Sequence, residues 1–168
     1  MSQKLSKAER QILVNQYRIL SAVNEDSEYY DLKANILEQG YTGRYSEVFT
    51  IHEEIPEDIC DETDEILNMY RRINNAITQL SSEEKDSLNL EKLKFEGFDG
   101  NNDPHYHYMT FMVENMDLWQ EYNEVYLNSH SQFPLTKYRK MLEYQKALLE
   151  QGKYDLDKED LVKMIERL

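Results

Sequence analysis

The stretch ICDETDEILNMYRRINNAITQL, residues 59–80, decides the fold of this chain. Residues that can pack on one helix face recur in it at alternating spacings of four and three: Ile59, Thr63, Ile66, Tyr70, Ile73, Ile77 and Leu80. Such a seven-residue repeat turns one stripe of an α-helix toward a neighbouring helix. The stretch therefore predicts one long amphipathic helix that begins near Pro56, because proline is favoured in a first helical turn.

Two kinds of neighbour would cover this stripe. Within one chain, the neighbours are the other helices of a bundle. Three heptads are short for a free coiled coil, so the sequence favours the bundle. The alternative is a homodimer, or a self-assembling structural protein, in which two copies pair through residues 59–80, with these side chains at the contact: Ile59, Ile66, Tyr70, Ile73 and Ile77.

Residues that typically cap or end helices predict the positions of the other helices. Ser6 and Glu9 have the spacing of a capping box, Gly40 and Gly152 suit helix C-termini, and Asp157 suits an N-cap. The predicted helices cover residues 6–23, 27–40, 46–51, 104–127, 134–152 and 157–168. Residues 81–89 are predicted to be a polar break, and residues 90–98 a short strand or an extended segment.

These elements define the predicted fold class. It is all-α: a single-domain multi-helix bundle of about seven helices over residues 1–168, with at most a short extended segment near 90–98. The scarcity of turn formers agrees with this, because the chain has only 5 glycines and 3 prolines.

Charge restricts the partners of this domain. The net charge is −14 and the isoelectric point is near 4.7, so nucleic-acid phosphate would repel the chain unless a local basic patch existed. The densest basic clusters, Arg71-Arg72 and Lys137 to Lys140, are short and fall on predicted helices. We interpret them as solvated faces, so direct nucleic-acid binding is disfavoured.

Hydropathy and cysteine content indicate a cytoplasmic protein without a membrane partner. No apolar run approaches the roughly 20 residues that cross a bilayer, and residues 1–10 lack the apolar stretch of a signal peptide. The lone cysteine, Cys60, excludes an internal disulfide and a cysteine-rich metal site.

Two metal motifs are tested and rejected on the sequence. His105 and His107 would point about 200° apart on a helix, so they do not share a metal there. The stretch DGNND at 99–103 resembles the start of a calcium loop, but its sixth position is Pro104 and its twelfth is Thr110. We predict no metal and no cofactor.

Nucleotide-loop and nucleophile motifs are also incomplete. Gly40 and Gly43 are followed by no Lys-Ser/Thr and preceded by no predicted strand, as a phosphate loop would require. Ser129 and His130 are adjacent, and adjacency does not give the geometry of a catalytic triad. Cys60 lies among carboxylates, which disfavour the thiolate. We assign no catalytic residue, and an enzymatic function is disfavoured but open.

Several segments, taken in order along the chain, resemble the YfbU family of bacterial proteins. They are ERQILVNQY at 9–17, LEQGY at 37–41, CDE at 60–62 with ILNMYRRI at 66–73, FEGFDGN at 95–101, and NSH at 128–130 with YRKML at 138–142. The resemblance spans almost the whole chain and implies an all-helical fold. It implies no catalytic residues. Some members join a similar domain to a helix-turn-helix segment, which implies a ligand-sensing or regulatory role.

The leading functional hypothesis is a non-catalytic domain that binds a small molecule or a protein partner. The predicted pocket uses polar residues of the resembling motifs that core packing does not require: Gln16, Tyr17, Asn68, Tyr70, Asp99, Asn101, Asn128 and His130. The alternative is a hydrolase-type enzyme that uses His107 or His130 with a carboxylate such as Asp99 or Glu114.

Overall fold

The computed structural model describes residues 4–49, 54–125 and 134–168. The chain divides into two compact units, Met1–Glu54 and Ile55–Leu168, called here the N-terminal and C-terminal units. Both are helical, and no strand occurs in the three described ranges. The all-α prediction is confirmed, whereas the assignment of residues 1–168 to a single domain stays a prediction.

The N-terminal unit is a helical hairpin followed by a short 3-10 segment. Helix α1 is Lys7–Val23, α2 is Ser27–Gln39, and the 3-10 segment is Thr42–Glu47. Ser6 and Glu9 form the predicted capping box, in which the Ser6 hydroxyl accepts from the Glu9 N–H and the Glu9 carboxylate accepts from the Ser6 N–H. The small core of this unit consists of Val14, Ile36, Leu37, Tyr45 and Val48.

Gly40 ends α2 in the left-handed region, with φ +70°. A Cβ there would also collide with the guanidinium of Arg10, which donates to the Leu37 carbonyl. Arg18 joins the two helices by ion pairs with Asp31 at 2.7 Å and Glu38 at 2.9 Å. The predicted C-terminal glycine of α2 is therefore confirmed, and the left-handed φ is the main reason, because the Arg10 side chain is flexible and can move aside.

The C-terminal unit is built around α3. Its elements are α3, Glu57–Gln79; α4, Ser82–Asp86; a 3-10 turn, Leu90–Leu93; α5, Pro104–Asn115; a 3-10 turn, Gln120–Tyr122; α6, Pro134–Glu150; and α7, Lys158–Glu166. Helix α3 packs on α5, α6 and α7. Ile66, Tyr70 and Ile73 have no exposed surface, so the seam of α3 is covered within the chain. A homodimer through these three side chains stays untested, but in this conformation only Ile59 and Ile77 retain surface for it.

An aromatic cluster fills the centre of this unit. The ring of Phe95 lies 5.1 Å from Tyr70, 5.2 Å from Tyr122 and 5.5 Å from Tyr138, centroid to centroid. The Tyr138 hydroxyl donates to the Gly97 carbonyl at 2.8 Å and accepts from the Glu96 N–H at 3.0 Å. Burial raises the pKa of Tyr70, Tyr122 and Tyr138 well above the usual tyrosine range. These tyrosines serve the core, with hydroxyls satisfied internally.

Two predicted element bounds are wrong, and of the two alternatives for residues 90–98 the strand is excluded. Helix α5 ends at Asn115 instead of residue 127, because Asp117 and Trp119 adopt positive φ and the Leu118 N–H turns back to the Met112 carbonyl. The predicted polar break at 81–89 contains α4, which Ser81 and Glu84 cap. Residues 90–98 hold a 3-10 turn and no strand.

Two smaller corrections concern residues 46–56. The described part of the predicted helix at 46–51 is the end of a 3-10 segment, and residues 50–51 lie outside the described ranges. Pro56 is the N-cap of α3 and precedes its first turn. No described helix combines the length and the apolar character that crossing a bilayer requires.

Candidate functional site: the α3–α6 groove

A groove of about 440 Å³ lies between α3 and α6 of the C-terminal unit. We call it the α3–α6 groove. Helix α3 contributes Glu65, Asn68 and Arg72, and α6 contributes Leu142, Gln145, Lys146 and Leu149, with Tyr154 beyond the end of α6. Residues three, four and seven apart share one helix face, so each helix presents a continuous stripe to the groove. Its size is typical of small-molecule sites.

Backbone carbonyls hold Arg72 in place. Its Nε donates to the Tyr154 carbonyl at 2.8 Å, and its Nη2 donates to the carbonyls of Lys153 and Tyr154. These carbonyls face Arg72 because Gly152, with φ +77°, reverses the chain after α6. The Lys153 N–H then donates to the Leu148 carbonyl and the Gly152 N–H to the Leu149 carbonyl, which is a Schellman motif.

The charge of Arg72 is not neutralised by these contacts. Within residues 54–125 and 134–168, no ion pair joins Arg72 to a carboxylate, whereas the neighbouring Arg71 pairs with Glu121 at 2.5 Å. Burial lowers the pKa of Arg72, and the charges of Asp155 and Asp160 offset part of that effect. An arginine stays protonated regardless. The groove therefore carries a positive charge fixed by neutral partners.

Two buried donors at this groove have no acceptor. Gln145 is only 2% exposed, and its Nε2 finds no hydrogen-bond partner among the described residues. Nη1 of Arg72 is likewise buried and has no hydrogen-bond partner among the described residues. A buried donor without a partner costs roughly 1–3 kcal/mol, so each position is destabilising for the fold as it stands. Both residues line the groove, so one acceptor that reaches these two nitrogens from it would satisfy both donors.

Apolar side chains form most of the groove surface. Leu142 is nearly buried, Leu149 is partly exposed, and the Tyr154 ring is largely exposed at the rim. Lys146 and Glu65 bridge α6 and α3 through an ion pair of 2.7 Å, so their charges are mutually compensated. The groove thus combines apolar walls with a small polar region at Arg72 and Gln145, as ligand sites usually do.

A polar cluster of Glu62, His105 and Arg139 joins α3, α5 and α6. Arg139 donates to both Glu62 oxygens at 2.7 Å, and His105 Nε2 lies 2.8 Å from Glu62 Oε2. The bonds from Arg139, and after them the bond from His105, lower the pKa of Glu62 to about 2 against the opposing effect of burial. Because ionised Glu62 only accepts, Nε2 of His105 carries the proton of their hydrogen bond.

This cluster is closed to a substrate. His105 is 1% exposed and its ring stacks on Phe98 at 5.4 Å. Its Nδ1 is buried and has no partner among the described residues. A general base must reach the proton that it removes, and neither imidazole nitrogen reaches solvent here. The geometry therefore indicates a structural role, in which Glu62, His105 and Arg139 tie three helices together. We call this cluster the polar latch.

The predicted site residues of the N-terminal unit serve different purposes. Gln16 is exposed on α1. Tyr17 donates to the Val48 carbonyl at 2.8 Å and packs against Tyr30. The ammonium group of Lys33 lies 4.2 Å from the Tyr29 ring and 5.6 Å from the Tyr17 ring. Tyr17 thus ties the 3-10 segment to α1.

The predicted site residues of the C-terminal unit are not gathered in one pocket. Asn68 lines the α3–α6 groove, whereas Tyr70 is fully buried and its hydroxyl donates to the Met141 sulfur at 3.7 Å. Asp99 and Asn101 come together in a turn, where the Asn101 N–H donates to the Asp99 carboxylate at 2.9 Å. Residues 128 and 130, the predicted Asn128 and His130, lie outside the described ranges.

The groups proposed for hydrolysis and metal binding lie in ordinary structural settings. His107 is exposed and packs edge-on against Tyr106, and one histidine–carboxylate pair among the described residues joins His105 to Glu62. Burial, then neighbouring carboxylates, raises the pKa of Cys60. Among the described residues, no three His, Cys, Asp or Glu side chains assemble as a metal site. The absence of a metal and of a cofactor stays a prediction.

Sequence reasoning missed Arg72 and Gln145. The prediction that Arg71-Arg72 is a solvated face is wrong for Arg72, which is half-buried against carbonyls. A signal existed for Gln145: it lies three residues after Leu142 and three before Leu148, on the apolar stripe of α6. A polar residue at a core position requires a partner. Arg72 had no comparable signal, because its carbonyl partners lie 81 and 82 residues away.

Comparison with known proteins places this architecture in a family. The family model described as the YfbU domain matches residues 3–166. The UPF0304 protein MJECS11 of Methanocaldococcus jannaschii is 34% identical over 167 residues, covering 96% of this chain and 98% of the relative. Both matches extend across the N-terminal and C-terminal units.

Proposed function

We propose that this chain, which belongs to the YfbU family, is a non-catalytic binding domain whose ligand occupies the α3–α6 groove. The observation that carries the proposal is the pair of buried donors at one groove, Gln145 Nε2 and Arg72 Nη1, that lack acceptors among the described residues. Natural proteins rarely retain such groups without a reason, because an apolar residue at position 145 would remove the penalty.

The chemistry of the groove favours binding over catalysis. Neither an amide nor a guanidinium changes its protonation state near neutral pH, so neither group acts as a general acid or base. Gln145 and Arg72 therefore serve to orient an acceptor. One histidine–carboxylate pair of the described residues, His105 with Glu62, is buried between helices, where a substrate would not reach it. The groove therefore has the properties of a recognition site.

A ligand in this groove would contact both α3 and α6. Its binding would stabilise the folded C-terminal unit in proportion to the logarithm of its concentration above the dissociation constant. Such a link between ligand level and stability is the physical basis of a sensing or regulatory role.

A neutral fluorescent dye, Nile red, tests the groove without testing charge. We expect the dye to bind, and the substitution Leu149→Gln to weaken its binding about fivefold, because an apolar contact is lost. Leu118→Gln is the matched control, because Leu118 is similarly exposed, at 44% against 36% for Leu149, and lies outside the groove.

Three results would reject the groove as the binding site. One is a Leu149→Gln variant that binds the dye as tightly as the wild type. Another is an equal loss of binding in the Leu118→Gln control. The third is a loss in Ile19→Gln alone, which would move the site to the exposed face of α1.

A further inference from the structure

We infer that the α3–α6 groove takes a small amphipathic carboxylate, with the acid group at Arg72 and Gln145 and the hydrocarbon part along Leu142 and Leu149. This inference rests on the proposed function and specifies the chemical class of the ligand. It is carried by the donors without acceptors, by the absence of an ion pair at Arg72 within the described residues, and by the apolar walls.

The polar region contains two donors that lack acceptors among the described residues. Both groups without partners are N–H donors: an amide nitrogen on α6 and a guanidinium nitrogen on α3. A carboxylate supplies two oxygens that only accept, so one group satisfies both donors. An amine or ammonium would bring further donors and leave Gln145 Nε2 and Arg72 Nη1 unsatisfied.

The charge at Arg72 favours an anion over a neutral acceptor. Two adjacent arginines on α3 differ in this respect, since Arg71 pairs with Glu121 and stacks over Trp119, whereas Arg72 contacts only carbonyl oxygens among the described residues. A carboxylate beside a partly buried guanidinium forms a charge-assisted hydrogen bond, roughly twice as strong as a neutral one. Asp155 lines the adjoining depression beyond Arg72, so an anion is favoured on the Gln145 side.

The walls favour a compact hydrocarbon chain. Leu142 and Leu149 lie two helical turns apart on α6, which corresponds to roughly 10 Å along the groove. Tyr154 also lines the groove, and its backbone carbonyl accepts from Arg72. A peptide strand of this length would add backbone N–H groups that need acceptors, and the apolar stripe of Leu142 and Leu149 has none to give.

Calorimetric titration of the intact chain with four probes tests the ligand class. The probes are octanoate, octan-1-ol, octylammonium and acetate. We expect octanoate to bind at least tenfold more tightly than octan-1-ol, and octylammonium more weakly than either, because only the carboxylate satisfies both donors and the charge. Acetate should bind at least tenfold more weakly than octanoate, since it lacks the chain that packs on the leucines.

Two variants and one control locate the acid group. Arg72→Gln and Gln145→Met should each weaken octanoate binding about tenfold, while leaving octan-1-ol within about twofold of the wild type. Arg71→Gln makes the same change of charge one residue away, at an arginine whose charge is already paired, and should leave octanoate binding unchanged. Gln145→Met should also raise the melting temperature, because it removes a buried unsatisfied donor, so its loss of binding is separable from unfolding.

Each result either supports or overturns the inference. Equal affinities for octanoate and octan-1-ol would overturn the carboxylate while leaving the groove as a site, provided that Nile red binding depends on Leu149. If Nile red binding does not depend on Leu149, both proposals are overturned. Tighter binding of an N-acetylated leucine dipeptide acid than of octanoate would overturn the alkyl acid in favour of a peptide carboxyl group.

Discussion

Helices α1 and α3 both carry apolar residues at helical spacing, yet they use them differently. On α3, Ile66, Tyr70 and Ile73 have no exposed surface. On α1, Ile19 is 62% exposed and Val23 is 71% exposed, and Val14 is the helix's buried residue. An apolar stripe thus predicts a helix equally well in both places, but it does not predict how much of the stripe is covered.

The difference separates two sources of helix stability. Helix α3 is stabilised by tertiary packing of its seam on α5, α6 and α7. Helix α1 also packs on α2, through Val14 and the Arg18 ion pairs, and it adds a local term, the capping box at Ser6. Most helical stability in proteins comes from packing, and α1 buries one residue where α3 buries seven, so the cap contributes a larger share of the stability of α1.

The largest effect is expected for Ile73→Ala in the seam of α3. Removing a fully buried isoleucine side chain should lower the free energy of unfolding by roughly 2–5 kcal/mol, through lost transfer energy and a residual cavity. Trp119, the single tryptophan, lies in the C-terminal unit and reports its unfolding in urea by fluorescence. A loss under 1 kcal/mol, together with dissociation of a dimer in sedimentation, would show that the seam pairs two chains.

The second-largest loss of stability is expected in the polar latch, which lies on α3 beside the seam. Glu62→Gln should destabilise the C-terminal unit at neutral pH by about 1–3 kcal/mol, because Arg139 and His105 lose a charged acceptor. The pKa of Glu62 is lowered from 4.5 to about 2, so its stabilisation is present above pH 4.5 and is lost as the pH falls toward 2.

The difference in unfolding free energy between wild type and Glu62→Gln should therefore shrink between pH 4.5 and pH 2. Urea titrations at several pH values, followed by Trp119 fluorescence, measure it. Glu65→Gln is the control, because Glu65 is an exposed partner on the same helix and its pair is worth little. A difference that is constant over this range would show that the charge of Glu62 does not stabilise the fold.

A third, smaller effect tests the local stabilisation of α1. Ser6→Ala should cost about 1 kcal/mol, since it removes one half of the capping box. The loss should be visible in far-ultraviolet circular dichroism and absent from Trp119 fluorescence. The matched control is Ser81→Ala, which breaks the capping box of α4 in the C-terminal unit and should shift the fluorescence transition. Identical shifts of both signals by Ser6→Ala would mean that the two units unfold together.

The smallest effect is expected for Ile19→Ala on the exposed face of α1. The side chain is 62% exposed, so its loss should change the free energy of unfolding by no more than about 0.5 kcal/mol. Circular dichroism at several protein concentrations measures it. A loss as large as that of Ile73→Ala, or one that grows on dilution, would show that another surface covers α1 in solution.

Local signals explain which parts of the fold the sequence predicted. Ser6, Gly40, Gly152 and Asp157 each act within a few residues of the helix end that they determine, and all four are where the sequence analysis placed them. The end of α5 had no such signal, since neither glycine nor proline follows Asn115. Packing of Trp119 on Tyr122 and against Arg71 accompanies the turn there, and those contacts are not visible in a local window.

The candidate site was predicted far less well, for the same reason. Asn68 is the predicted site residue that lines the α3–α6 groove, and the remaining described ones lie in the core, in a turn or on the N-terminal unit. Motif reasoning selected polar residues near turns. The polar groups without partners are instead on helix faces, where only burial distinguishes them from solvated neighbours.

The sequence by itself determined that this chain is helical, where most of its helices begin and end, and which stripe of α3 packs inward. Those features follow from caps, from the helical repeat and from apolar spacing, which act between residues close in the chain. Tertiary structure alone decided that Arg71 is ion-paired while Arg72 has only carbonyl partners among the described residues, and that Glu62 joins residues 43 and 77 positions away. Charge compensation and hydrogen bonding depend on which residues come together in space, and the α3–α6 groove is formed by residues that are distant in the sequence.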